Sequence, residues 1–268
     1  MKKVDAVQEI EGYWQYIMLA IAIILAIIFC CYYIISQSKW GFYRTEGAGV
    51  VEESAGTVKP VNSVQMKRAY LTFDDGPSQN TGEILDILDD NNVKATFFVV
   101  GRDESYYDYY REIVKRGHTL GLHSYTHDYD KIYASLDDFA EDIEELRNLL
   151  YDVTGVRCTC YRFPGGSSNT VSNVDMDTLI SYVESQGLTY YDWNALNNDA
   201  VCDSYTPEQL VENIMSDVPA HDDVIILMHD LSNRHSTVES LQMLIDRLRA
   251  EGYELLAIDD DAPLVRHR

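Results

Sequence analysis

From residue 67 to residue 258 short apolar runs alternate with amphipathic stretches, and this alternation leaves few folds open to the chain. The apolar runs near 69–73, 95–100, 119–122, 158–162, 188–193, 224–228 and 254–258 have the length and the bounding turns of buried strands. Helical patterns fill the intervals at 80–90, 104–116, 136–152, 175–186, 207–217 and 237–250. In the clearest of them Leu136, Phe139, Ile143, Leu146, Leu149 and Val153 share one face, behind a Ser135 N-cap with Asp138 three residues on. Thr206-Pro207-Glu208-Gln209 supplies a cap, an N1 proline and an N3 glutamine for another. Seven strands with helices between them predict a parallel α/β barrel, a class that keeps its functional side chains at the C-terminal ends of the strands.

The first run ends in Leu71-Thr72-Phe73-Asp74-Asp75-Gly76-Pro77, so a strand delivers two adjacent carboxylates to its end and the chain turns away at once. Like charges side by side raise each other's pKa unless a cation lies between them, so the pair calls for a metal or an arginine. His123 and His127, four apart in His-Ser-Tyr-Thr-His, can aim two imidazoles at one point. Arg162 follows another strand-like run in Arg-Phe-Pro-Gly-Gly. Each signal alone is weak, since Asp-Asp-Gly is most often a turn and an isolated HxxxH a solvated or packed pair. Their order and context make them informative.

Thr-Phe-Asp-Asp-Gly (72–76), His-Ser-x-x-His (123–127), Arg-x-Pro-Gly-Gly (162–166), an Asp-Trp-Asn segment leading to Asp199, and Leu-Met-His (227–229) resemble the five ordered motifs of the polysaccharide deacetylases. These are the NodB-homology, family 4 carbohydrate esterases, and the resemblance covers roughly residues 67–258. It implies a distorted (β/α)7 barrel and removal of N-acetyl groups from the amino sugars of a cell-surface polysaccharide, peptidoglycan first. It also implies that Asp75, His123 and His127 hold one divalent metal ion, zinc as first choice, with cobalt, nickel, manganese or iron fitting the same donors. Asp74 would be the general base, kept charged by Arg162, and His229 the general acid, oriented by Asp199. The Gly165 N–H would hold the oxyanion, while Trp193 and Leu227 wall the acetyl pocket. Removing Arg162 should then lower rate more than metal binding. Leu122, where an Asn is common, and Ala200, where many relatives have Trp, depart from the pattern and bear on substrate fit. O-deacetylation of a xylan-like polysaccharide and noncatalytic glycan binding are the competing readings.

Outside the motifs, residues 17–35 carry no charge and as a helix would span about 28 Å, against a bilayer core of about 30 Å. This predicts a single-pass signal anchor in the cell membrane, touching the lipid bilayer; Lys2 and Lys3 before the span and Lys39 and Arg44 after it leave the orientation open, and the resemblance implies residues 1–16 as a short cytoplasmic N-terminus with the catalytic domain outside. The alternative is cleavage after a small-x-small site at Ser36-Gln37-Ser38. Residues 36–66 lose apolar periodicity and read as a flexible linker, leaving 67–268 as the deacetylase domain. With 44 acidic residues against 21 Lys and Arg, the formal charge of -23 disfavours nucleic-acid binding, and the sequence specifies no protein partner. Of five cysteines, Cys30 and Cys31 lie in the apolar segment; outside the cell Cys202 would pair with Cys158 or Cys160, three buried thiols being the alternative. His118, His221, His235 and His267 match no motif and read as surface or packing residues, and Tyr106, Tyr107, Tyr109 and Tyr110 as a helix face and its rim.

Overall fold

The computed structural model describes residues 66–202 and 204–268. The anchor and linker expected at 17–35 and 36–66 lie outside the described residues, apart from Met66. No helix among the described residues is long and apolar enough to cross a membrane. The single-pass location is therefore corrected: nothing in the described structure carries it.

The elements follow the sequence pattern closely. In chain order they are β1 (Lys67–Asp74), α1 (Thr81–Asp90), β2 (Thr96–Val100), α2 (Tyr107–Lys115), β3 (Thr119–Ser124), α3 (Tyr129–Ile132), α4 (Leu136–Thr154), β4 (Cys160–Tyr161), α5 (Met176–Ser185), β5 (Thr189–Tyr190), β6 (Ala195–Leu196), α6 (Pro207–Asp217), β7 (Asp223–His229), α7 (His235–Ala250) and β8 (Tyr253–Leu256). The caps form as the residues require. Ser135 accepts from the Asp138 N–H, Gly155 closes α4 in the left-handed region, and Thr206 with Gln209 makes a reciprocal capping box.

All pairings are parallel, in the order β5-β4-β3-β2-β1-β7-β6, with β8 paired to the first half of β1. The sheet is thus an eight-stranded half-barrel among the described residues, not seven staves in a ring. Of the predicted strand 188–193 only Thr189–Tyr190 forms as β5, with β6 starting beyond it at Ala195, for a local reason. The Arg162 guanidinium takes the Tyr191 and Asp192 carbonyl oxygens, and Asn194 replaces ladder bonds with its side chain, donating to Asp223 O and accepting from Ile225 N. Carbonyls held this way are not available to a neighbouring strand.

Alternation along each strand sorts side chains to two cores. Ala69, Leu71, Phe73, Phe97, Val99, Leu122, Val224, Ile226 and Met228 face the helices, whereas Tyr70, Phe98, Cys160, Tyr191 and Ile225 pack inside the barrel. The same period carries Asp74, His123, Arg162 and His229 inward at the ends of β1, β3, β4 and β7. No disulfide joins Cys158, Cys160 and Cys202. Cys158 packs in the outer core and Cys160 in the inner one, where burial pushes both thiols up to about 12, so the cross-link expectation is corrected. The four lone histidines and the tyrosine run behave as packing or rim residues; His118, for example, is buried with Nδ1 accepting from the Ala95 N–H, and the buried Tyr110 hydroxyl donates to Val100 O.

Candidate active site

Register builds the site. Asp74 and His229 are partners across the β1–β7 ladder, so parallel pairing sets a carboxylate and an imidazole at the same level on adjacent strands. Both line an open cavity of about 330 Å³, together with Asp75, His123, His127, Tyr129, Gly165, Trp193, Asp199 and Leu227. All ten residues expected at the site come together, nine lining the cavity and Arg162 lying buried behind it.

One atom from each of Asp75, His123 and His127 lies within 4.8 Å of the others, a group able to hold a metal ion. His127 Nε2 is 3.1 Å and His123 Nε2 is 3.4 Å from Asp75 Oδ1, an oxygen that is buried without a hydrogen bond. His123 Nδ1 stands 2.7 Å from the Arg162 carbonyl oxygen, which can only accept, so Nδ1 carries the proton and Nε2 presents its lone pair. Three lone-pair atoms facing one point need a positive charge between them. Protons on the imidazoles are one solution, and they hold Asp75 well below the usual carboxylate range against the upward push of its burial. A divalent ion is the other, and the donor set fits it. Asp75 (φ 70) and His127 (φ 53) both occupy the left-handed region, a backbone strain that clusters at functional sites.

The strained loop from His123 to His127 is held by a residue the sequence reading passed over. Asp142, on α4 and buried, accepts from Ser124 Oγ (2.8 Å), Tyr125 N (2.8 Å), Thr126 N (2.9 Å) and Thr126 Oγ1 (2.8 Å). Ser124 Oγ in turn accepts from the His127 N–H at 2.8 Å. The turn after Asp75 has a similar brace. Arg102 donates to the Asp75 and Pro77 carbonyls, and buried Asp230 accepts from Ser78 and Thr81 hydroxyls.

On the base side, Arg162 Nη1 donates to Asp74 Oδ1 at 2.9 Å and to Thr72 Oγ1 at 2.6 Å, with both Arg162 and Asp74 nearly or wholly buried. On the acid side, His229 Nδ1 lies 2.6 Å from Asp199 Oδ1, while Asp199 Oδ2 accepts from His229 N and Thr237 Oγ1. Burial opposes a charge on His229, but the Asp199 hydrogen bond and charge outweigh it and push the imidazole up to about 9. Asp199 moves down for the reciprocal reason, its burial being overcome by His229. Two carboxylates in one cavity thus have different partners, an arginine and a histidine.

The two glycines of Arg-Phe-Pro-Gly-Gly are required by space as well as by backbone. Gly166 (φ +83) abuts the Trp193 ring, where a Cβ would lie 3.0 Å from the indole, and Gly165 (φ +76) abuts the Tyr129 hydroxyl end. Gly166 N donates to Phe163 O, whereas the Gly165 N–H makes no hydrogen bond to the described residues. Trp193 is fixed from behind by His267, which meets its ring edge-on at 4.9 Å and donates to its carbonyl oxygen.

Comparison with known proteins bears on the fold and the family. A family model described as polysaccharide deacetylase matches residues 62–190. The fold superposes on the catalytic domain of a peptidoglycan N-acetylglucosamine deacetylase from Eubacterium rectale with a TM-score of 0.72 and 39% identity, covering 80% of this chain and 97% of that one. A peptidoglycan-N-acetylglucosamine deacetylase of Bacillus cereus is 29% identical over 214 residues, 75% of this chain and 72% of that protein. One from Listeria monocytogenes is 33% identical over 199 residues, 72% of this chain and 38% of that longer protein. From the motifs, the fold and these likenesses together, the chain belongs to the polysaccharide deacetylase family.

Proposed function

We propose that the chain is a metal-dependent hydrolase that removes N-acetyl groups from amino sugars of a cell-surface polysaccharide, with peptidoglycan as the first substrate. One observation carries this reading: a carboxylate braced by arginine and an imidazole braced by carboxylate face one cavity beside a three-residue ligand cluster. Glycan binding alone would need neither a base nor an acid there. The named relatives, which act on peptidoglycan N-acetylglucosamine, support the substrate.

Asp75, His123 and His127 would hold the ion, zinc first, and it would supply a more acidic water and a polarised acetyl carbonyl. Asp74 takes a proton from the attacking water as the water oxygen bonds to the acetyl carbon. Arg162 balances the Asp74 charge before that transfer and shares its proton-bearing side with Thr72. The Gly165 N–H donates to the acyl oxygen as charge builds on it. When the tetrahedral adduct collapses, the C=O bond re-forms, the C–N bond breaks, and the nitrogen takes a proton from His229. Acetate and a free amine leave. Trp193 and Leu227 wall the acetyl methyl group.

The acid role has a sign that pH tests. His229 must be protonated to donate, and a value of about 9 keeps it so at neutral pH. The rate kcat/KM should therefore hold to weakly alkaline pH and fall as pH rises toward about 9, a cation in the cavity moving that limb downward. Asp199→Asn removes the charge that raises His229, and its alkaline limb should move to lower pH by about one unit or more. An unmoved limb would assign the alkaline ionisation to another group.

Mass spectrometry of muropeptides from peptidoglycan treated with the protein tests the reaction itself. Acetyl mass should disappear with added divalent metal, persist with chelator, and persist with Asp74→Asn. Acetyl loss unaffected by chelator would refute metal dependence, and loss confined to acetyl esters would move the substrate to an O-acetylated polysaccharide.

A further inference from the structure

Resting on that reading, we propose that Tyr129 is a further catalytic residue, its phenolic hydroxyl donating a hydrogen bond to the acyl oxygen of the bound acetamide beside the Gly165 N–H. Tyr129 opens α3, and Tyr133 follows one turn later, so both rings stand against the Phe163–Gly166 loop. They meet edge to face at 5.9 Å. Their hydroxyls have different surroundings. Tyr133 is fully buried and donates to the Pro164 carbonyl oxygen at 2.7 Å. Tyr129 is half-buried in the cavity wall, and its hydroxyl makes no hydrogen bond to the described residues.

Two contacts fix where that hydroxyl lies. The Tyr129 ring is edge-on to the His127 imidazole at 5.5 Å, on one side of the ligand cluster. A methyl group at Gly165 would lie 3.2 Å from the Tyr129 oxygen and 3.3 Å from its Cε1, so the phenol end covers the residue whose N–H is unpartnered among the described residues. Two donors without protein acceptors, one main-chain and one side-chain, thus border the same part of the cavity. With no acceptor among the described residues, the Tyr129 hydroxyl is free to donate to a molecule in the cavity.

The chemistry is a hydrogen bond and nothing more. As water adds to the acetyl carbon, the π electrons of the carbonyl move onto its oxygen, and donors already in place bind that charge more tightly than the neutral carbonyl. Tyr129 keeps its proton throughout, and no bond within it is made or broken.

Tyr129→Phe in the full chain, at matched metal content, tests the assignment on an N-acetylated glycan and on a small acetyl ester. We expect kcat to fall about 10- to 100-fold on both, with KM within about twofold and with melting temperature and metal content unchanged. Binding of acetate, followed by NMR without turnover, should weaken about tenfold. A kcat within about twofold of wild type, or a loss confined to KM, overturns the assignment and makes Tyr129 a wall or a sugar contact. Wild-type inactivity on the glycan alone would count against the substrate reading, while the variant-to-wild-type ratio on the ester would still decide about Tyr129.

Discussion

Asp74→Asn should lower kcat by about 10³-fold while leaving the metal content and the fold largely intact. The side chain is nearly isosteric, and the cavity around it is already set by other groups. Arg162 keeps Thr72 Oγ1 and the Tyr191 and Asp192 carbonyls as acceptors, so the loss of one charged partner does not empty its environment. The amide oxygen can still accept from Arg162, but the variant has no carboxylate to take the water proton. Asp74 also lies near the ligand cluster, with Oδ2 3.9 Å from His123 Nε2. That proximity makes the control decisive. Metal titration of the variant should match wild type within a few-fold; an equal collapse of metal binding and rate would show Asp74 to be a ligand and would leave the base unassigned.

Why Asp74 was visible in the sequence, and some of its neighbours were not, follows from where charge normally sits. Asp74, Asp75, His123, Arg162 and His229 close apolar runs that read as strands, and a charged group delivered by a buried strand has few structural explanations. The family motifs then sorted them into roles. Asp142 carries no such flag at first sight, since it lies among Asp137, Asp138, Glu141, Glu144 and Glu145 in an acidic helix. A signal was nevertheless present. Asp142 is three residues after Phe139 and four before Leu146, so it falls on the buried stripe while its acidic neighbours fall off it.

Other features depended on tertiary partners that no local pattern encodes. His267 has neither motif nor periodicity, yet it braces Trp193 because Asp192 Oδ2 accepts from its main-chain N–H and draws the end of the chain across the sheet. Asp192 also accepts from the N–H and hydroxyl of Ser167, tying that end to the Gly165–Gly166 loop. The shortening of the 188–193 strand to β5 has the same origin, because the competitor for its carbonyls is a guanidinium some thirty residues upstream. The position of the cysteines near the third and fourth motifs suggested a cross-link, but Cys158, ahead of β4, packs in the outer core and Cys160, on β4, in the inner one, a separation that depends on how the chain enters the strand.

Arg162→Met should destabilise the domain by about 3–5 kcal/mol, more than any of the other substitutions considered. The guanidinium is 0% exposed, lies 4.3 Å above the Phe98 ring, and donates to Thr72, Asp74, Tyr191 O and Asp192 O. A thioether of similar length keeps the packing but leaves Asp74 charged without its partner and strips two main-chain carbonyls. For a domain of this size the melting temperature should fall on the order of 10 °C. In the molecules that remain folded, rate should suffer more than metal binding, because His123 is oriented by the Arg162 carbonyl oxygen, which the substitution retains. Adding Asp74→Asn to Arg162→Met removes the orphaned charge, so the double variant should recover about 1–3 kcal/mol over Arg162→Met alone. Thermal unfolding of the four proteins in this cycle measures that coupling directly. Additive losses would mean that the carbonyl contacts with Tyr191 and Asp192, rather than the ion pair, are what Arg162 contributes to the fold, and that the Asp74 charge is balanced chiefly from the metal side of the cavity.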